Sequence, residues 1–174
     1  MRRGLLLCAA LSMWTAAHAQ TTSLPCAGFG DAANTTQTVA VNGTDSSVAV
    51  ADCTLPNGTA LVFSVAANTP HAAVTLRNIR CLDGCSIVVQ PESNTTRLGN
   101  VSVEAEGVTL TSAGRHAVAV EAPAGAECVR LTATDTHVTY GADGSGVVAL
   151  SVRAAEIGSA GVKVALLRSS VQLA

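Results

Sequence analysis

The chain has 174 residues, a formal net charge of −2, and 48% hydrophobic side chains against only 2% aromatic ones. Its 10 Lys and Arg, set against 12 Asp and Glu, form no cluster for phosphate backbones, so nucleic acid is not an expected partner. Val, Ala and Leu carry nearly all the apolar mass and Thr and Ser fill much of the rest. β-Branched residues favour strands, so the composition predicts an all-β fold with small interior side chains.

In chain order, the first segment is residues 1–19. Arg2 and Arg3 precede an apolar run from Leu5 to Trp14, and Ala17, His18 and Ala19 form an A-x-A site. This is the pattern of a secretory signal peptide cleaved between Ala19 and Gln20. The run is about ten residues, half of what a bilayer span takes. Processing would leave ~155 residues, enough for one core. It would remove the single Trp and take the net charge from −2 to −4, because the segment has two Arg and no acidic residue. No later stretch reaches spanning length, and Arg168, Ser169, Ser170 and Gln172 interrupt any glycolipid-anchor tail. The expected location is therefore secreted or cell-surface, with no membrane span in this chain.

Residues 20–60 read as a cap-like segment and residues 61–174 as a series of short strands. The apolar runs are Leu61 to Val65, Ala73 to Leu76, Ser86 to Val89, Val101 to Val103, Val108 to Leu110, Val118 to Val120, Val129 to Leu131, Val138 to Tyr140, Val147 to Val152, Val162 to Leu166 and Val171 to Leu173. Each has period-two polarity. Pro56 with Asn57 and Gly58, Asp83 with Gly84, Pro123 with Gly125, Asp143 with Gly144, and Gly158 with Gly161 supply turns between them. Leu76, Val103, Leu131, Leu150 and Leu167 recur as strand-closing positions, with a second series of Val108 and Leu110, Val138 and Tyr140, and Val171 and Leu173. A strand–turn–strand unit repeated without helices predicts a right-handed parallel β-helix or solenoid. An antiparallel β-sandwich is the alternative, although an immunoglobulin-like one would want a buried Trp beside a Cys pair. The solenoid would be open at its C-terminal end, where no polar cap follows the last strands, so self-association through that edge is expected.

Asn34, Asn42, Asn57, Asn94 and Asn100 each begin an N-x-[ST] sequon without an intervening proline. As glycan acceptors all five should be exposed. Five cysteines would remain after processing: Cys26, Cys53, Cys81, Cys85 and Cys128. In an oxidising compartment most should pair, leaving one over. Cys81 and Cys85 bracket a turn short enough for a local disulfide, and Cys26 with Cys53 would fasten the N-terminal segment onto the first coils. No His completes a zinc site around the Cys81–Cys85 spacing, and Gly141 to Gly146 holds one acidic residue, too few for calcium. No metal or other cofactor is implied.

The one candidate catalytic grouping is Asp135 with His137, about twenty residues after Arg115 and His116. β-Helices can host polysaccharide lyases and hydrolases when carboxylates of adjacent coils meet on one face. A polysaccharide-processing enzyme is thus the alternative function, but Phe29, Phe63 and Tyr140 are too few to line a sugar-stacking groove. There is neither a phosphate-binding G-x-x-x-x-G-K-[ST] loop nor a G-x-S-x-G nucleophile elbow. The polar residues of the turns read as solvated, and no residue is assigned a catalytic role.

Met1 to Ala19 (MRRGLLLCAALSMWTAAHA) and Leu76 to Val89 (LRNIRCLDGCSIVV) resemble the dispersed gene family surface proteins of trypanosomes, and the Val, Thr and Ala composition agrees along the chain. The resemblance implies a very large glycosylated surface or secreted protein with β-helix-like repeats, membrane-spanning segments near a distant C-terminus, and a role in adhesion or host interaction. In length and in lacking a span this chain resembles only the amino-terminal end, as a truncated product or fragment. The expectation is a non-enzymatic adhesion or display scaffold whose partner is a host cell-surface or extracellular-matrix component.

Overall fold

A computed structural model describes residues 21–26, 33–43, 46–67, 69–81, 83–92, 100–111, 116–122, 128–140, 148–154 and 162–173. Strands account for nearly all of them: β1 (Thr21–Leu24), β2 (Thr36–Val41), β3 (Ser46–Leu55), β4 (Ala60–Val65), β5 (His71–Cys81), β6 (Ser86–Pro91), β7 (Asn100–Glu106), β8 (Thr109–Leu110), β9 (His116–Ala122), β10 (Cys128–Thr134), β11 (His137–Tyr140), β12 (Val148–Ala154), β13 (Val162–Leu167) and β14 (Ser170–Leu173). Every strand pairing is parallel, which makes the fold a β-solenoid and sets the antiparallel sandwich aside.

Three faces close each coil. The first is the five-stranded sheet β12-β9-β6-β4-β2. The second stacks β1, the leading part of β3, the leading part of β5, β7, β10 and β13. The third stacks the ends of β3 and β5 with β8, β11 and β14. Because β3 and β5 run unbroken from the second face to the third, those two faces form one nine-stranded sheet.

Alternation of side chains along each strand sends every other residue inward, and parallel in-register stacking lines up like positions of successive coils. Val48, Val74, Val103, Leu131 and Val164 form one such row, and Val50, Leu76, Ala105, Ala133 and Leu166 the next. On the third face Leu55, Cys81, Leu110, Val138 and Val171 are aligned. On the first face Phe63 is fully buried beside Leu61 and Val65. Fully burying one Val or Leu contributes about 1.5–3 kcal/mol, so repeated rows of small residues supply a core without aromatic anchors.

The boundary expected at residue 60 has no counterpart in the strand ladders. β2 pairs with β4 over Thr36–Val41, and β3 pairs with β5 over Ser46–Leu55, so residues 36–55 already form part of the solenoid. The expected repeat was also out of phase. Val103 and Leu131 are in register, but Leu76 aligns with Ala105, Leu167 with Thr134, and Leu150 lies on the first face opposite Val118. Likewise Leu110, rather than Val108, aligns with Val138. The cause is a corner that costs a single residue, so that two faces read as one apolar run.

Toward the C-terminal end the interior changes character. The inward position just after this corner is Cys53, Ile79 and Val108 in early coils, then Thr136 and Ser169. Thr136 is buried and its hydroxyl donates to the Thr134 carbonyl at 3.2 Å, while Ser169 Oγ donates to the Leu167 carbonyl at 3.0 Å. The end is therefore partly polar at this corner, although no described coil covers it. Val164, Leu166 and Leu167 on the second face remain about half exposed, at 47%, 52% and 53%.

Candidate functional site

The most ordered surface feature is the ridge where the second face meets the third. One residue per coil turns this corner, and each has a left-handed backbone: Asp52 (φ 55°), Asn78 (φ 51°), Gly107 (φ 65°), Asp135 (φ 48°) and Arg168 (φ 49°). Asp and Asn tolerate this region because their short polar side chains bond locally, and Gly has no Cβ to clash. Asn78 Nδ2 donates to Asp52 Oδ1 at 2.8 Å across neighbouring coils. Arg168 donates through Nε and an Nη to the two carboxylate oxygens of Asp135, both at 2.7 Å. Backbone bonds join the coils beside the ridge, Gly107 N–H to Thr134 O at 3.0 Å and Asp135 N–H to Leu167 O at 3.0 Å.

Asp135 and His137 share this ridge, and His137 Nδ1 lies 2.9 Å from Ser170 Oγ on the next coil. His116 stands in β9 on the first face, so it does not join them, and Arg115 lies outside the described residues. Both oxygens of Asp135 are taken up by Arg168, whose hydrogen bonds hold the carboxyl below the usual range. The same bonds push the Arg168 guanidinium upward. A carboxylate so held is a poor proton donor at neutral pH, because general acid catalysis wants a pKa near the operating pH. The geometry at this ridge is that of an exposed ion pair beside a His–Ser hydrogen bond.

Away from the ridge the outer faces are rows of small side chains. The second face presents Ala49, Thr75, Glu104, Thr132 and Ala165 in one register row, and the first face Thr38, Val62 and Val88 in another. Arg77 and Glu106 form a surface ion pair at 3.4 Å. Among the described residues no group of three or more His, Cys, Asp or Glu could hold a metal ion. No helix among them is long and apolar enough to cross a membrane.

The sequons divide. Asn34, Asn42 and Asn57 are exposed, and the first and third occupy neighbouring coils, with Asn34 N–H donating to Asn57 O at 2.8 Å. Asn94 lies outside the described residues, as do Ala19, Gln20 and the whole of residues 1–19. Asn100 corrects the expectation of exposure. It is 9% exposed at the head of β7, its Nδ2 is 3.1 Å from His71 Nδ1, and its Oδ1 is buried without a partner. The residue starts a strand stacked between β5 and β10, so a glycan there would have to displace a neighbouring coil. No sequon rule reads that placement, because the tripeptide carries no register.

The cysteines divide as well. Cys81 and Cys85 are joined in a disulfide across their short turn, with Cα atoms 6.1 Å apart, and Cys85 Sγ rests 3.2 Å from the Pro56 carbonyl oxygen of the preceding coil. Cys26 and Cys53 are free thiols rather than a disulfide. Cys128 is buried at the head of β10 and is not among the free thiols. Burial and the neighbouring Cys26 push the Cys53 thiol up to about 12.

No protein-family model, curated protein or solved structure matches this chain.

Proposed function

We propose that this chain is a non-enzymatic adhesion or display scaffold of a secreted or cell-surface glycoprotein, of the kind its leader-like residues 1–19 and the segment Leu76 to Val89 resemble. The observation that carries the reading is the outer surface of the solenoid. Parallel register repeats positions from coil to coil, giving rows in which Thr, Ser, Ala and Val predominate among isolated charges. Solenoids use such extended faces to bind other macromolecules. Asn34, Asn42 and Asn57, all exposed, are the places at which glycans fit this surface. The partner class is a host cell-surface or matrix component.

The polysaccharide-processing alternative has one observation in its favour, the collection of Asp135, His137 and Ser170 on one ridge. A single preparation separates the readings. The full chain, expressed in a eukaryotic secretory host, is tested for binding to cells and immobilised matrix and for cleavage of polysaccharides. Saturable binding without cleavage, on a product that begins at Gln20 and loses mass on deglycosylation, is the expected result. Cleavage abolished by Asp135→Asn would install the enzyme reading instead, and retention of Met1 in the secreted product would refute processing between Ala19 and Gln20.

A further inference from the structure

β1 is the most weakly held of the described second-face strands. It has four residues, pairs among the described strands only with β3, and exposes Thr22 and Ser23, leaving Leu24 as its one described apolar contact with the core. A four-residue ladder with so little buried surface opens locally far more readily than the central coils. Its departure would bare one backbone edge of β3 and the inward side chains Val48 and Val50 beneath it.

Two residues beyond β1, Cys26 packs against the core. The register that places Leu24 on Val50 brings it to the coil of Cys53, which turns inward immediately after the left-handed Asp52. Cys26 packs against the same buried cluster that contains Cys53, and both are free thiols. Cys53 is 1% exposed and Cys26 half-buried, so Cys26 is the more accessible of the two to a reagent in solution.

We infer that Cys26 and Cys53 are a redox latch on the N-terminal edge of the solenoid: reduced, they let β1 leave β3, and joined as a disulfide, they fasten it there. The oxidant is a small-molecule disulfide such as oxidised glutathione. The Cys26 thiolate attacks one glutathione sulfur, forming a mixed disulfide and releasing one glutathione thiol. The Cys53 thiol, giving up its proton, then attacks Cys26 Sγ, and the second glutathione leaves as the thiolate and takes up a proton. Two protein thiols and one glutathione disulfide thus become one protein disulfide and two glutathione thiols. The new bond would close a loop from 26 to 53 that contains β2 and most of β3, and a link across such a loop restrains the opened state more than the closed one.

The test uses the full chain equilibrated in glutathione buffers of increasing oxidised fraction. Peptide mapping follows the Cys26–Cys53 link, and hydrogen exchange is read in residues 21–24 and 46–50. The expected result is a Cys26–Cys53 link that forms in one transition and slows exchange in residues 21–24 by about tenfold or more. Cys26→Ser, a substitution at the half-buried partner, should abolish the slowing while leaving exchange in β4 and β6 unchanged. A stable mixed disulfide of Cys26 with glutathione, a link from Cys26 to any other cysteine, or a correct link with no change of exchange in β1 would each overturn the latch.

Discussion

At the scale of single residues, the ridge between the second and third faces shows what a tight corner asks of a sequence. Its five left-handed positions are filled by Asp, Asn, Gly, Asp and Arg, and the last has neither the short polar side chain of Asp and Asn nor the missing Cβ of Gly. Arg168 is instead held by its two bonds to Asp135. At Gly107 a Cβ would come within 2.8 Å of Asn78 Oδ1, in addition to meeting the left-handed backbone. Gly107→Ala is therefore expected to destabilise the fold by about 1–2 kcal/mol in urea unfolding. Asn78→Gly, which relieves the same backbone and gives up one exposed hydrogen bond, should stay within about 0.5 kcal/mol of the parent. Equal losses for the two variants would show that backbone handedness does not decide this corner.

The Asp135–Arg168 pair has a definite sign in pH. Hydrogen bonding to Arg168 depresses the folded-state pKa of Asp135, so the unfolded chain binds its proton more readily. The pair's contribution is thus present above the ordinary carboxylate range and is lost as pH falls through the depressed folded value. Both groups are exposed, so the effect belongs in a titration rather than in a melting curve. The carboxyl resonance of Asp135 should titrate at lower pH in the parent than in Arg168→Gln. Identical midpoints would mean that the ion pair does not persist in solution.

At the scale of elements, one ladder offers the same side chain in two settings. Leu76 is fully buried in β5, whereas Leu166, three coils on in the same row past Ala105 and Ala133, is 52% exposed in β13. Leu76→Ala should cost about 2–5 kcal/mol, as deletion of a buried Leu side chain does. Leu166→Ala should cost less than about 1 kcal/mol, because little of its surface is taken from water. Equilibrium unfolding of the two variants decides this, and comparable losses would mean that something covers β13.

These ladders also explain which elements the sequence discloses. Each of the eleven apolar runs from Leu61 onward coincides with a strand over its described residues, save that Val108 just precedes β8, since alternation of Val with Thr or Ser survives wherever one side of a strand faces the interior. β2 and β3 escape notice because Thr36–Val41 and Ser46–Leu55 mix Ala and Ser with few large residues. The phase of the repeat is hidden by the one-residue corner, at which Asp52 or Asn78 looks like one polar residue within a longer strand. The local disulfide is readable because four residues of separation suffice for it. The burial of Asn100 is not, because it depends on the coils before and after.

At the scale of the whole molecule, the two ends of the solenoid are unequal. β1 and β2 close one end, where Leu24 and Val39 remain only partly buried. At the other, β13 and β14 pair on one side alone, with β10 and β11, and their far backbone edges meet no described strand. Hydroxyls of Thr136 and Ser169 relieve one corner of that end. Along β13, however, Val164 and Leu166 point into a cross-section that no described coil covers, and Leu167 adds apolar surface outside it. An open strand edge with exposed apolar side chains is a template for pairing with another chain, and an inward-pointing charge is the ordinary defence against it. The 174-residue chain is accordingly expected to associate as its concentration rises, seen in sedimentation as a growing weight-average mass. Leu166→Lys places a charge on that edge and should restore a monomer while leaving the cooperative unfolding of the earlier coils intact. A parent chain that remains monomeric, with slow amide exchange through Val162–Leu167, would show that the edge is closed; association unchanged in Leu166→Lys would move the contact to another surface.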